Sequence, residues 1–132
     1  MKTRIFGALA AATLSASASF AADLKVGFVY VGPINDGGWT QIHHENALVM
    51  KEYFGDKIDM VYQENVAEGA DSERVMTQMA LQGADLIYTT SFGYGDPTIS
   101  VAKKFPNVKF EHATGYQSAE NVSTYSARFY EG

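Results

Sequence analysis

The segment 32–39, Gly-Pro-Ile-Asn-Asp-Gly-Gly-Trp, carries side chains suited to holding a planar heterocycle. The indole of Trp39 can stack on a flat ring. The amide of Asn35 and the carboxylate of Asp36 can accept hydrogen bonds from ring N–H groups. The same residues also fit a structural role, because an Asx residue ahead of a helix commonly caps it and the indole would then pack on the domain. The pattern leaves both interpretations open.

Two further segments concentrate glycine and aromatic residues. The run 91–96 is Ser-Phe-Gly-Tyr-Gly-Asp, with Tyr94 between two glycines, and the run 113–116 is Ala-Thr-Gly-Tyr. A loop in which glycines leave the backbone uncovered by side chains favours contact with a ligand. Glycines that only permit a tight turn are the alternative explanation.

The secondary-structure elements that position these segments are predicted to alternate between strand and helix along the chain. Runs of β-branched and aromatic residues predict strands, and apolar residues spaced three and four apart predict helices. Strands are predicted at 24–31, 58–62, 85–90, 108–112 and 122–125, and helices at about 38–54, from Asp71 to Gly83, and from Asp96 to just before Pro106. This order predicts an α/β fold with a doubly wound, mainly parallel sheet and helices on both faces.

Local signals set the helix ends. Asp71 is expected to cap the second helix, and Gly83 to end it. Asp96 is expected to cap the third helix, with Pro97 at its first position. Residues of the first helix lie near one face at the spacing of an amphipathic helix, namely Ile42, Asn46, Val49, Met50 and Tyr53.

The topology predicts where a ligand would bind. In an open parallel sheet the crevice lies beyond the carboxyl ends of the strands, where successive crossovers part to opposite faces. Glycines, amides, carboxylates and aromatic residues concentrate at these strand ends, whereas the opposite ends, such as 54–57 and 106–107, are plainer. We therefore expect the segments that begin at residues 32, 91 and 113 to line one crevice.

The first 21 residues have the pattern of a cleaved signal peptide. Lys2 and Arg4 precede an apolar run at 5–12, and a Ser/Ala-rich stretch leads to a cleavage site after Ala21. The apolar run is far shorter than the roughly 20 residues that span a bilayer. Because the chain has no cysteine, lipid attachment at the cleavage site is excluded. We expect release into a bacterial periplasm.

Composition excludes several classes of protein. The chain has 132 residues, a net charge of −5, no cysteine and 46% hydrophobic residues, so a disulfide scaffold, a zinc ribbon and a thiol enzyme are excluded. An acidic chain disfavours nucleic-acid binding. His43, His44 and Glu45 are adjacent and so point to different sides of a helix, unlike a zinc-protease pair. We expect no catalytic residue, metal or cofactor.

Taken together, the motifs resemble the basic membrane protein (BMP) family of substrate-binding proteins that serve ABC transporters. The resemblance covers essentially the whole mature chain. It rests on residues 26–33 with Asp36 and Gly38-Trp39, on 91–97, on the run Phe-Pro-Asn-Val-Lys-Phe-Glu-His-Ala-Thr-Gly-Tyr at 105–116, and on 121–125.

The resemblance implies two α/β lobes of the periplasmic binding protein type I kind that close over a purine base or nucleoside-like ligand. Residues 22–132 would form the N-terminal lobe, with the second lobe absent. An ABC permease of the inner membrane would be the partner, and the chain is expected to be a monomer. The implied ligand-binding residues are Asn35, Asp36 and Trp39 around the heterocycle, Phe92, Gly93 and Tyr94 as a second wall, and Thr114, Gly115 and Tyr116.

Two other functions remain alternatives at this point. A small periplasmic α/β hydrolase or nucleosidase would use Asp36 as base and His112 or His43 as acid, although no catalytic spacing supports it. A ligand-sensing module of a signalling receptor would use the same cleft, so the sequence does not separate sensing from transport.

Overall fold

The computed structural model describes residues 22–129, so the expected signal peptide at 1–21 lies outside the described residues. The elements follow the predicted order β-α-β-α-β-α-β-β, with short 3₁₀ turns before β2 and α3. Their bounds are β1 Leu24–Val29, α1 Trp39–Phe54, β2 Ile58–Gln63, α2 Ala70–Leu81, β3 Leu86–Thr89, α3 Gly95–Lys104, β4 Lys109–Ala113 and β5 Val122–Tyr125.

The strands of the described region form one parallel sheet in the order β2-β1-β3-β4-β5. The chain steps from β1 outward to β2 and then back across β1 to β3, so the crossovers leave β1 and β3 in opposite directions. This arrangement confirms the doubly wound α/β fold and places the switch point between the carboxyl ends of β1 and β3. Within residues 22–129, no helix has the length and apolarity needed to cross a membrane.

Alternation along the strands builds a separate core on each face of the sheet. On one face Val29, Ile87 and Phe110 are fully or almost fully buried and pack against residues such as Met76 of α2 and Val101 of α3. Side chains at every second position share a face of a strand. The larger of the two cores is therefore the one beneath α2 and α3.

The opposite face packs against α1. Val26, Phe28 and Tyr30 alternate along β1 and cluster with Ala47 and Ile58. Ala47 and Thr40 are the buried residues of α1, because small side chains let the helix backbone approach the sheet closely. Of the apolar residues that share a face of α1 in the sequence, only Met50 packs against this core, and Ile42, Val49 and Tyr53 are exposed.

That apolar face of α1 is largely open. The exposed fractions are 56% for Ile42, 63% for Val49 and 82% for Tyr53, whereas Met50 is half-buried. Periodicity identifies an apolar stripe but not the element that covers it. Among the described residues, no helix covers this stripe of α1.

Two predicted helix caps are each wrong by two residues. α2 begins at Ala70 with Gly69 at the N-cap, so Asp71 lies inside the first turn. The 3₁₀ turn at 92–94 runs directly into α3, whose N-cap is Tyr94, and Pro97 is therefore its third residue. Pro97 is tolerated there because the first N–H groups of a helix have no intrahelical acceptor. Gly83, with φ of +86°, ends α2 as predicted.

We predict that Ile87→Ala lowers the free energy of unfolding by about 2–5 kcal/mol, because it opens a cavity in the larger core. Ile87 is fully buried in the central region of the sheet. Leu81→Ala is the matched control, since Leu81 is 72% exposed and its truncation should cost no more than about 0.5 kcal/mol. Urea unfolding of the two variants measures the difference, and equal losses would contradict the assigned core.

Candidate functional site

The carboxyl ends of β1, β3 and β4 bring the predicted segments together. The indole N–H of Trp39 donates to the carbonyl oxygen of Thr90 at 2.6 Å, which joins the segment after β1 to the segment after β3. The Nε2 atom of His112, in β4, lies 2.7 Å from the carbonyl oxygen of Ser91. Hydrogen bonds thus connect these strand ends into one continuous edge at the switch point.

Asp36 caps α1 from a position two residues before Gly38, the N-cap of the helix. Its Oδ1 atom accepts the backbone N–H groups of Gly38 and Gln41 at 2.8 and 3.0 Å, and its Oδ2 atom accepts that of Thr40 at 2.9 Å. These bonds lower the pKa of Asp36 to about 2, and the bond from the N–H of Gln41 has the largest effect. The structure thus shows the capping role, and most of the acceptor capacity of the carboxylate is already used.

Asn35 is the more available polar group of the same segment. Its side chain is exposed and makes no hydrogen bond to another residue of the described chain. The neighbouring backbone is held in place, because the N–H of Ile34 donates to Oε2 of Glu64 at 2.8 Å. Asn35 therefore offers both an amide donor and an amide acceptor from an anchored loop.

Trp39 packs on the domain, which is the structural role that its position suggested. The indole is half-buried at the start of α1 and packs against His43, with ring centroids 4.5 Å apart. Phe129 lies on another side at 6.3 Å, with an angle of 27° between the ring planes. Trp39 thus anchors α1 to the strand ends and keeps part of its ring accessible.

Phe92 and Tyr116 form an exposed aromatic pair across two loops. Their ring centroids are 5.9 Å apart, and the rings are 62% and 77% exposed. The sequence placed both residues at strand ends, but their pairing depends on the adjacency of β3 and β4 in the sheet. Exposed rings held side by side provide a surface on which a flat ligand can stack.

Tyr94 does not form part of that wall, which corrects the expectation for its side chain. It is fully buried, and its hydroxyl donates to the carbonyl oxygen of Val66 at 2.7 Å. Burial raises the pKa of Tyr94 above its ordinary value. The residue packs beneath the loop instead of facing the crevice, and its hydrogen bond to Val66 holds it there.

Gly93 lies against Glu68, a neighbour that sequence reasoning missed. The carboxylate of Glu68 lies where a Cβ on Gly93 would be, and it accepts the hydroxyl hydrogen of Ser91 at 2.6 Å. Glu68 follows β2 in the chain, and its distance from residue 91 in sequence hides this contact. Glu68 therefore shapes the segment after β3.

Thr114 and Gly115 form a strained turn at the end of β4. Thr114 has φ of +60°, a conformation that is unfavourable for a β-branched residue. Its N–H donates to the carbonyl oxygen of Tyr125 at 2.7 Å. The ring of His112 occupies the position of a Cβ on Gly115, so only glycine fits there. Such strain concentrates at functional sites.

An apolar groove of about 780 Å³ adjoins this edge on the α1 face of the sheet. Of the predicted ligand-binding residues, Trp39 and Thr114 line it. Within residues 22–129, no group of three His, Cys, Asp or Glu side chains is placed to hold a metal ion.

We predict that Asp36→Asn lowers the melting temperature by several degrees at neutral pH. The pKa of Asp36 is lowered from 3.8 to about 2 in the folded chain, so its charge stabilises the fold above about pH 4 and that contribution is lost toward pH 2. The variant and the parent should therefore converge as the pH falls. Thermal unfolding followed by circular dichroism measures the gap.

Asp23→Asn is the control for this prediction, because Asp23 is exposed and lies outside any helix cap. A difference between Asp36→Asn and the parent that stays constant from neutral to acidic pH would contradict a role for the charge.

Comparison with known proteins identifies the family. The model of the PnrA-like ABC transporter substrate-binding proteins (Bmp) matches residues 23–132. A purine-binding protein of Brucella abortus is 60% identical over 109 residues, which are 83% of this chain and 31% of that protein. A Haloferax volcanii protein named as an ABC transporter glucose-binding protein is 41% identical over 108 residues, 82% of this chain and 27% of that protein.

Solved structures show the same relationship. An ABC transporter solute-binding protein from Conexibacter woesei superposes with a TM-score of 0.69 at 26% identity, over 78% of this chain and 35% of that one. The chain thus spans about a third of the length of the relatives that it matches. On this match and on the fold, the chain belongs to the PnrA-like (Bmp) family of ABC transporter substrate-binding proteins.

Proposed function

We propose that residues 22–132 are the N-terminal lobe of a two-lobed periplasmic protein that binds a purine base or a nucleoside-like heterocycle and delivers it to an ABC permease. The observation that carries this proposal is the exposed pair of Phe92 and Tyr116, beyond the carboxyl ends of β3 and β4 and next to the switch point of the sheet. The name of the Brucella relative, a purine-binding protein at 60% identity, supports the choice of ligand. Residues 1–21 would direct export and then be removed.

The residues of the edge divide into two groups in this proposal. Phe92, Tyr116 and the accessible part of Trp39 supply aromatic surface, and Asn35 supplies hydrogen bonds to the ring. Asp36 shapes the segment after β1, because backbone N–H groups already occupy its oxygens. Stacking of a base on an aromatic side chain contributes roughly 1–3 kcal/mol, so the rings account for most of the affinity.

The hydrolase alternative finds little support in the geometry. A carboxylate with a pKa near 2, as in Asp36, is a weak base at neutral pH. His112 is buried against the carbonyl oxygen of Ser91, and Nδ1 of His43 lies 2.8 Å from the carbonyl oxygen of Trp39. Each imidazole therefore supports local backbone, and neither hydrogen-bonds to Asp36. Binding followed by lobe closure needs no such pair.

A single lobe covers only one side of a flat ligand. The proposed mechanism has the heterocycle dock on this lobe, after which the second lobe closes over it and the permease recognises the closed form. The chain by itself therefore leaves about half of the ligand in water, and its affinity is expected to be weaker than micromolar.

We predict that adenine binds the mature chain with a dissociation constant in the high micromolar to millimolar range. Phe92→Ala or Tyr116→Ala should weaken binding roughly tenfold, the loss of about one stacking contact. NMR titration of the labelled chain measures this range, and Trp39, the only tryptophan in the sequence, adds a fluorescence signal. Phe54→Ala is the matched control, because Phe54 is exposed at the opposite end of α1.

Glucose titrated in parallel tests the ligand suggested by the name of the Haloferax relative. Saturable binding of glucose without binding of adenine would overturn the purine assignment. Binding of adenine by the mature chain alone at micromolar strength or better would overturn the requirement for a second lobe.

A further inference from the structure

Glu68 lies in the loop between β2 and α2, and this loop passes over the carboxyl end of β1. The N–H of Val66 donates to the carbonyl oxygen of Tyr30, just beyond β1, at 3.0 Å. The carbonyl oxygen of Val66 accepts the hydroxyl hydrogen of Tyr94, in the segment after β3, at 2.7 Å. The loop is thus fixed to both strand ends two residues before Glu68, which places Glu68 at the edge that the proposed ligand faces.

The carboxylate of Glu68 is held against the segment that carries Phe92. Its Oε1 atom accepts the hydroxyl hydrogen of Ser91 at 2.6 Å, and the carboxylate lies against Gly93. These contacts fall on the residues immediately before and after Phe92, whose ring pairs with that of Tyr116. A hydrogen-bond acceptor is therefore fixed beside the aromatic surface on which the heterocycle is proposed to stack.

The second oxygen of this carboxylate is open to a ligand. Within residues 22–129, the Oε2 atom of Glu68 takes part in no hydrogen bond or ion pair, and the side chain is exposed. An ionised carboxylate accepts several hydrogen bonds across its two oxygens. No lysine or arginine occurs in the four segments that surround the crevice, namely 32–39, 64–69, 91–96 and 113–117. Hydrogen-bond donors, and not a cation of these segments, are therefore the partners left for Oε2.

We propose that Glu68 determines ligand specificity by accepting, through Oε2, a hydrogen bond from the exocyclic amino group of an aminopurine that stacks beside Phe92. This inference rests on the function proposed above. The amino group is the donor that a free base and its nucleoside share, because attachment of the sugar removes a ring N–H. A hydrogen bond to an ionised acceptor is roughly twice as strong as one between neutral groups, so a single bond of this kind separates rings that stack equally well.

The other polar groups at this edge discriminate less between ligands. Backbone N–H groups already occupy both oxygens of Asp36, and the amide of Asn35 can present either a donor or an acceptor. Glu64 accepts the N–H of Ile34 and so holds the segment after β1. The carboxylate of Glu68 is the group expected to distinguish a ring that carries an amino group from the same ring without one.

Adenine and unsubstituted purine differ by the amino group alone, and NMR titration of the mature chain with each of them tests the proposal. The chain should bind adenine about tenfold more tightly than purine. Glu68→Gln keeps the size of the side chain and removes its charge, so it should weaken adenine binding roughly fivefold or more and leave purine binding within about twofold. Glu120→Gln, at an exposed loop position before β5, is the matched control and should preserve both affinities.

Gly93→Ala gives a second variant, which keeps the charge of Glu68 and moves it. A Cβ atom at residue 93 would meet the carboxylate of Glu68, and the flexible side chain of Glu68 would turn away from the ligand. The preference for adenine over purine should therefore fall about as far as it does in Glu68→Gln. Circular dichroism of each variant verifies that the lobe is folded.

Equal weakening of adenine and purine binding in Glu68→Gln would overturn the inference, because a residue that only holds the loop affects both ligands alike. An unchanged preference for adenine would overturn it as well. Loss of adenine binding in Phe92→Ala, with the preference retained in Glu68→Gln, contradicts the role of Glu68 and leaves the stacking site in place. Failure of the parent chain to bind either ring instead contradicts the function proposed above, and the role of Glu68 with it.

Discussion

Parallel pairing of β1 with both β2 and β3 is the constraint on which the rest of the structure depends. β1 is hydrogen-bonded on both edges, to residues 58–63 on one side and 86–89 on the other. From the carboxyl end of β1 the chain runs toward β2, and from the carboxyl end of β3 it runs toward β4. The two crossovers therefore lie on opposite faces of the sheet. The open edge between them is a consequence of strand order, and the chain places its aromatic and amide side chains there.

Polar groups at this edge mainly hold loops in place. The carboxylates of Asp36 and Glu68 and the imidazole of His112 are all engaged with backbone or with nearby hydroxyl groups. Asp36 and Glu68 are exposed, whereas His112 is buried and replaces the water it loses with a bond within the chain. The groups left accessible to a ligand are therefore aromatic rings, the amide of Asn35 and one oxygen of Glu68, which suits a flat ligand with few charges.

The close packing of α1 on β1 and β2 explains why part of this face of the sheet is uncovered. Thr40 and Ala47 bring α1 close to β1 and β2, and this close approach turns the larger residues of the helix sideways. Ile42 and Met50 then share a groove with Tyr88 and Tyr125. Glu111 also lines this groove, so its largely apolar surface includes one carboxylate.

The sequence alone determined the order of elements, the parallel sheet and the edge at which the candidate residues lie, because periodicity, glycine stops and topological rules act locally or through chain order. Only the tertiary structure decided what each side chain does. Tyr94 is buried while Phe92 is exposed, although one residue separates them, since Tyr94 finds a buried hydrogen-bond acceptor in Val66, which is distant in sequence. The stripe on α1 was likewise visible in the sequence. The side of the helix that faces the sheet was not, because it depends on how closely two surfaces can approach.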